Sequence, residues 1–196
     1  MAEKKRKGRR AYLDSYKKKE DGSYAYEGDL YVYVGSILAS NSPGNGGLKV
    51  GIPKGNGLKK ELTRLWILCG ALLCTLLAAG CSTAPGPDSS AYVLLPYAAN
   101  LVACVSVCWG MGRLAKGGNP MKAHVYDASV AQIPGRALAC AICSGAVVMG
   151  EGIYLFQNGA GGRILAVFGF LVLETVALIL ALWTRKLAVG MKWEKS

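Results

Sequence analysis

The chain has 196 residues, a net charge of +11, 52% apolar residues and a mean hydropathy of +0.28. Apolar content and charge of that size coexist only when they are segregated along the chain, which excludes both an ordinary soluble domain and a disordered one. Residues 1–64 hold fourteen of the 23 basic and seven of the 12 acidic residues, whereas four long stretches beyond them are almost free of charge. The fold class this implies is an all-α integral membrane protein: a four-transmembrane-helix bundle preceded by a small N-terminal cytosolic β-hairpin.

Residues 1–22 open with MAEKKRKGRR, a basic run without apolar content that reads as a disordered, solvated tail. Beside a membrane such a run attracts anionic lipid headgroups, at about 1 kcal/mol per basic residue near the surface. No aromatic interleaving or recognition motif accompanies the charge, so nucleic acid is not an expected partner. Residues 23–63 form the second region. Tyr24, Tyr26, Tyr31 and Tyr33 alternate on either side of Glu27-Gly28-Asp29, which predicts strands over 23–26 and 30–34 joined by a turn. An isolated hairpin is marginal in water, so a third strand from Leu48 to Ile52, the membrane domain or another protein is expected to support it. The glycine-rich PGNGGLKVGIPKGNGLKK lacks the G-x-x-x-x-G-K-[ST] order of a phosphate-binding loop and reads as a linker.

Residues 64–184 are the expected membrane domain, with apolar segments Leu65–Cys81, Tyr92–Met111, Ala137–Phe156 and Ile164–Trp183. Each approaches the ~20 residues needed to cross ~30 Å of hydrocarbon, and none shows the polar stripe of a helix with one face in water. The first segment and its sequel, LLAAGCSTAPGP, also resemble a secretion signal ending in a lipid-attachment cysteine, Cys81. About sixty residues precede it and three more spans follow, so the stretch reads as the first span. Arg113, Lys116, Lys122 and Arg136 lie in the second connection, and Arg185, Lys186, Lys192 and Lys195 lie in or beside the tail of residues 185–196. Of the basic residues beyond the first span only Arg163 falls on the other side, so the positive-inside bias places both termini in the cytosol and suits a bacterial cytoplasmic membrane.

All seven cysteines fall in or at the edge of the spans. Cys140 and Cys143 have the C-x-x-C spacing of thiol oxidoreductases, but they stand at the reducing cytosolic boundary and no second outer pair relays electrons. Packing is the expected role of the small residues instead: Gly70, Cys74 and Ala78 recur every four residues in the first span, Asn100, Cys104, Cys108 and Gly112 in the second, and Ala137, Ala141 and Gly145 in the third. More costly in lipid are Glu174 near the middle of the fourth span, Glu151 in the outer third of the third and Asn100 in the second, which together make a candidate intramembrane polar site. Met121, Val125, Ala128 and Ile133 could anchor a surface helix in the second connection, where His124, Tyr126 and Asp127 read as solvated loop residues. No catalytic, cofactor or metal constellation is expected. The function that follows is a non-catalytic multi-pass subunit assembling with itself or other membrane proteins; the alternatives are a small transporter or channel using the carboxylates and, less favoured, a membrane thiol oxidoreductase.

Overall fold

The computed structural model describes residues 15–19, 23–36, 56–82, 84, 90–159 and 162–195. Four long helices, α1 (Asn56–Gly80), α2 (Ala91–Gly117), α4 (Ile133–Asn158) and α5 (Ile164–Gly190), are long and apolar enough to cross a membrane, and a short helix, α3 (Ala123–Ala128), lies between the second and third. They run 25 to 27 residues, about 40 Å at ~1.5 Å per residue. That is longer than the apolar segments, because Arg113, Lys116, Arg185 and Lys186 are good helix formers and carry the helices past the apolar boundary. Pro134 sits in the first turn of α4, where its missing N–H costs nothing. Gly118 and Gly159 follow α2 and α4 at φ 70° and 71°, the conformation that lets a chain leave a helix, and the Gly159 N–H donates to the Leu155 carbonyl at 2.9 Å.

The helices alternate in direction. α1 packs on α2 and α5, and α4 packs on the same two, so the fourth helix closes the bundle against the first. Inward positions follow the helical period: Leu65, Cys69, Leu72 and Leu76 on α1, Cys104, Val107 and Met111 on α2, Cys140, Ala141 and Val147 on α4, and Phe170, Ala177 and Ala181 on α5 are all buried. Outward positions carry Ile67, Val102, Ile142, Phe168 and Ile179, all exposed. Water would penalise such a surface and lipid does not.

α2 and α4 approach closely at Gly150, where an added Cβ would stand 3.2 Å from the Tyr92 carbonyl oxygen and 3.3 Å from Val93. Gly150→Leu is therefore expected to lower the bundle's stability by about 2 kcal/mol through overpacking. Gly152→Leu, at an exposed position with nothing within 4 Å of its Cβ, should be neutral. Thermal unfolding of the two variants in one detergent measures the difference.

Five short strands gather at one end of the bundle, the end that carries the basic connections: β1 (Tyr16–Lys18), β2 (Tyr24–Tyr26), β3 (Leu30–Ser36), β4 (Met121–Lys122) and β5 (Met191–Lys195). A small N-terminal hairpin is present and both expected strands form, but they do not pair with each other. β2 pairs with β1, Tyr16 opposite Tyr26, inside the segment read as a basic tail. β3 instead lies between β4 and β5, antiparallel to both. The residues read as a C-terminal tail are the last turns of α5 and this third strand. The reason is burial: β3 places Tyr33 against the start of α1, and the strands flanking it are those that the ends of α2 and α5 deliver to the same place. The expected strand Leu48–Ile52, the SNSPGNGG loop and residues 1–14 lie outside the described residues.

Aromatic contacts join sheet and helices. Tyr31 stacks on Tyr126 with ring centroids 4.1 Å apart, Trp193 meets Tyr126 and Tyr33 edge-on at 5.8 and 5.4 Å, and Lys122 Nζ lies over Tyr16 and Tyr26. The Tyr33 N–H donates to Asn119 Oδ1 at 3.2 Å. At the rim Lys195 pairs with Asp29 at 2.7 Å, and that carboxylate raises the ammonium above the ordinary lysine range. Both partners are exposed, so the pair contributes little to stability. Met121 and Ile133 are buried as the anchors of this connection, yet they belong to β4 and to the first turn of α4 instead of a surface helix; α3 supplies only Val125 and Ala128.

Candidate intramembrane polar site

Three helices turn polar side chains inward within the bundle. On α2 the buried stripe runs Val93, Tyr97, Asn100, Cys104; on α4 it runs Ala141, Ser144, Val147, Glu151; on α5 it runs Val167, Phe170, Glu174, Ala177. The apolar members of these stripes place the polar ones, since a helix that buries Val93, Cys104 and Val107 has no rotation that would expose Asn100. Asn100, Ser144, Glu151 and Glu174 all have 0% relative exposure.

The Asn100 amide donates from Nδ2 to Ser144 Oγ at 2.7 Å, a hydrogen bond between α2 and α4. Its Oδ1 has no donor. Ser144 is also a polar neighbour of the Glu174 carboxyl, although neither Glu174 oxygen meets a donor at hydrogen-bonding geometry. Tyr97 stands within electrostatic range of Glu174 but spends its hydroxyl elsewhere, donating to the Leu76 carbonyl of α1 at 2.7 Å. Its ring leans on Phe170 at 6.3 Å, one turn from Glu174. Three oxygens, Asn100 Oδ1 and both of Glu174, are thus buried in apolar surroundings without a donor. Each such atom costs free energy on the order of 1–3 kcal/mol, more when charged.

Two of the three polar residues singled out in the sequence, Asn100 and Glu174, share Ser144 as a neighbour. Glu151 lies on the same face of α4, two turns beyond Ser144, about 10 Å along the axis. Ser144 itself is not conspicuous in sequence, because a serine in an apolar helix bonds its own backbone at little cost.

The small-residue ridges divide. Cys104 and Ala141 are buried, and Cys108 and Gly145 half-buried, with Gly145 facing Leu178 across the α4–α5 contact. Gly70, Cys74 and Ala78 are exposed, so the α1 ridge does not pack within the bundle; the inward face of α1 is Leu65, Cys69, Leu72 and Leu76. Helical period shows that these three share a face and leaves open which way that face turns.

All seven cysteines are free thiols. The C-x-x-C residues Cys140 and Cys143 are buried and half-buried in α4. A close sulfur pair joins two helices instead, Cys69 and Cys108 with Sγ atoms 3.0 Å apart, beside Cys104. Sequence spacing could not reveal it, since the partners come from different spans. Among the described residues no group of three His, Cys, Asp or Glu side chains is arranged to hold a metal ion. His124, Tyr126 and Asp127 are part of the aromatic cap: His124 lies against Tyr16 and Tyr26, and with Ser15, Asp29 and Asp127 it lines a hollow of about 330 Å³. Comparison of the chain with protein-family models, with curated proteins and with solved structures finds no match.

Proposed function

We propose that the chain is a non-catalytic multi-pass membrane subunit that self-associates through α1, with both termini and the sheet-bearing cap in the cytosol of a bacterial cell. The observation carrying this reading is the outward turn of Gly70, Cys74 and Ala78, with nothing within 4 Å of a Cβ at Gly70. Much of the remaining outer surface carries large apolar side chains, such as Val102, Ile142 and Phe168, that lipid tails accommodate. A four-residue repeat of small residues instead lets a second helix approach closely enough to gain packing energy, where no hydrophobic drive operates between helices. The orientation rests on Arg113, Lys116, Lys122, Arg136, Arg185, Lys186 and Lys192, which the fold gathers at one end. The basic N-terminal run beside them would add attraction for anionic headgroups.

The test is bismaleimide cross-linking in isolated membranes. A dimer that forms through Cys74 is expected to vanish in Cys74→Ser and to survive Cys81→Ser. Gly70→Leu should cut the dimer about tenfold, the equivalent of about 1.4 kcal/mol of lost packing. A chain that stays monomeric, or a dimer indifferent to both substitutions, refutes the reading. A second reading, passage of a proton or small cation through the bundle, is favoured by the donorless Glu174 carboxyl. Flux in proteoliposomes that disappears in Glu174→Gln while the dimer persists would establish it.

A further inference from the structure

We infer that Asn100, Ser144 and Glu174 form a binding site for one hard monovalent cation, a proton or a sodium ion, at the centre of the bundle. The inference rests on geometry inside a single bundle, so it stands apart from self-association through α1. All the groups that converge are oxygens: the amide Oδ1 of Asn100, the hydroxyl Oγ of Ser144 and the Glu174 carboxylate, each from a different helix and each fully buried. Oxygen sets of this kind suit hard cations and offer nothing to soft metals. The charge is set by the count of carboxylates. Of the three residues only Glu174 carries a charge, and that charge is single and negative, so one positive charge neutralises it.

The unmatched atoms are those that a cation would satisfy. Asn100 Oδ1 and both Glu174 oxygens lack donors although no part of either side chain reaches solvent. A proton on Glu174 removes the carboxyl's uncompensated charge, and a sodium ion among the same oxygens supplies the positive partner that they lack. The surrounding groups do not compete. From α2, Tyr97 is committed to the Leu76 carbonyl of α1; from α4, Ser144 accepts from Asn100; around Glu174 on α5 stand Phe170 and Ala177. Among the described residues no Lys or Arg is buried, and no ion pair involves Glu174.

The experiment uses the full chain in detergent and dicyclohexylcarbodiimide, which adds to a carboxyl group only in its protonated form. Adduct on Glu174 is read by peptide mass spectrometry against pH, with sodium chloride or choline chloride. The expected result is labelling that falls roughly tenfold per pH unit above the midpoint. Sodium at about ten times its Kd should slow labelling roughly tenfold relative to choline if the site takes the metal ion; a pH profile indifferent to sodium identifies the proton as the occupant. Asn100→Leu, or Ser144→Ala should the first variant fail to fold, must abolish the sodium protection or move the pH midpoint. No adduct on Glu174 at any pH, labelling insensitive to both pH and sodium, or substitutions that leave the profile unmoved would overturn the site.

Discussion

Tyr33→Ala is expected to cost about 3–5 kcal/mol in the sheet-bearing cap, the range for deleting a fully buried aromatic ring. The ring is 3% exposed, meets Trp193 edge-on at 5.4 Å and rests near Gly57 at the start of α1. The energetics there are those of water, because the cap lies past the apolar part of the helices, so burial of the ring carries its full hydrophobic worth. Loss of the ring should be felt far along the chain. β3 lies between β4 and β5, and through them it ties the α2–α3 connection to the last residues of α5. The measurement is limited proteolysis with Trp193 emission: the variant should be cut near β5 and its tryptophan emission should shift to the red, while the helical content of the bundle persists. Tyr33→Phe keeps the ring and should remain within about 1 kcal/mol of the parent. Equal protease resistance in Tyr33→Ala would mean that the cap is held by the helices alone.

The same cap is where sequence reading fell short, and the reason is the nature of strand pairing. Span length is a local property, legible from an apolar run, and all four runs lie in long helices. Pairing is not local. Tyr24, Tyr26, Tyr31 and Tyr33 alternate as strand residues do, but alternation says nothing about which strand lies alongside. The partners proved to be Tyr16–Lys18, Met121–Lys122 and Met191–Lys195, drawn from segments whose charge suggests a solvated tail or loop. Lysines there keep their ammonium groups in water while the backbone pairs and Met121 or Met191 turns inward, a division by atom that composition cannot display. Asn100 and Glu174 were legible for the opposite reason: in an apolar helix their cost is large enough to demand an account, whichever neighbours they find. Ser144 carries no such cost, and only the packing of α2 against α4 reveals it as the residue that Asn100 and Glu174 share.

Glu174→Leu is expected to stabilise the bundle by about 3 kcal/mol, the scale of the penalty for a buried carboxyl without a donor. Leucine is close to glutamate in volume, and Phe170 and Ala177, about one turn to either side on α5, are buried and apolar, so the replacement leaves neither a cavity nor an unmatched polar atom at position 174. Glu174→Gln, which keeps a polar amide in the same place, should change stability much less. Both variants should lose the sodium-responsive carbodiimide adduct at position 174. Thermal unfolding in one detergent, at a single pH and sodium concentration, separates the possibilities by sign. A higher midpoint for leucine means the carboxyl is retained at a cost in stability, as a group that binds or carries a cation would be. A lower midpoint for leucine means that Glu174 holds the helices together, and the cation site would then have no claim on it. Asn100→Leu gives the contrast within the same cluster: it removes the hydrogen bond to Ser144, worth about 0.6 to 2 kcal/mol between helices in lipid, together with the unmatched Oδ1, so the two effects offset and its midpoint should move much less than that of Glu174→Leu.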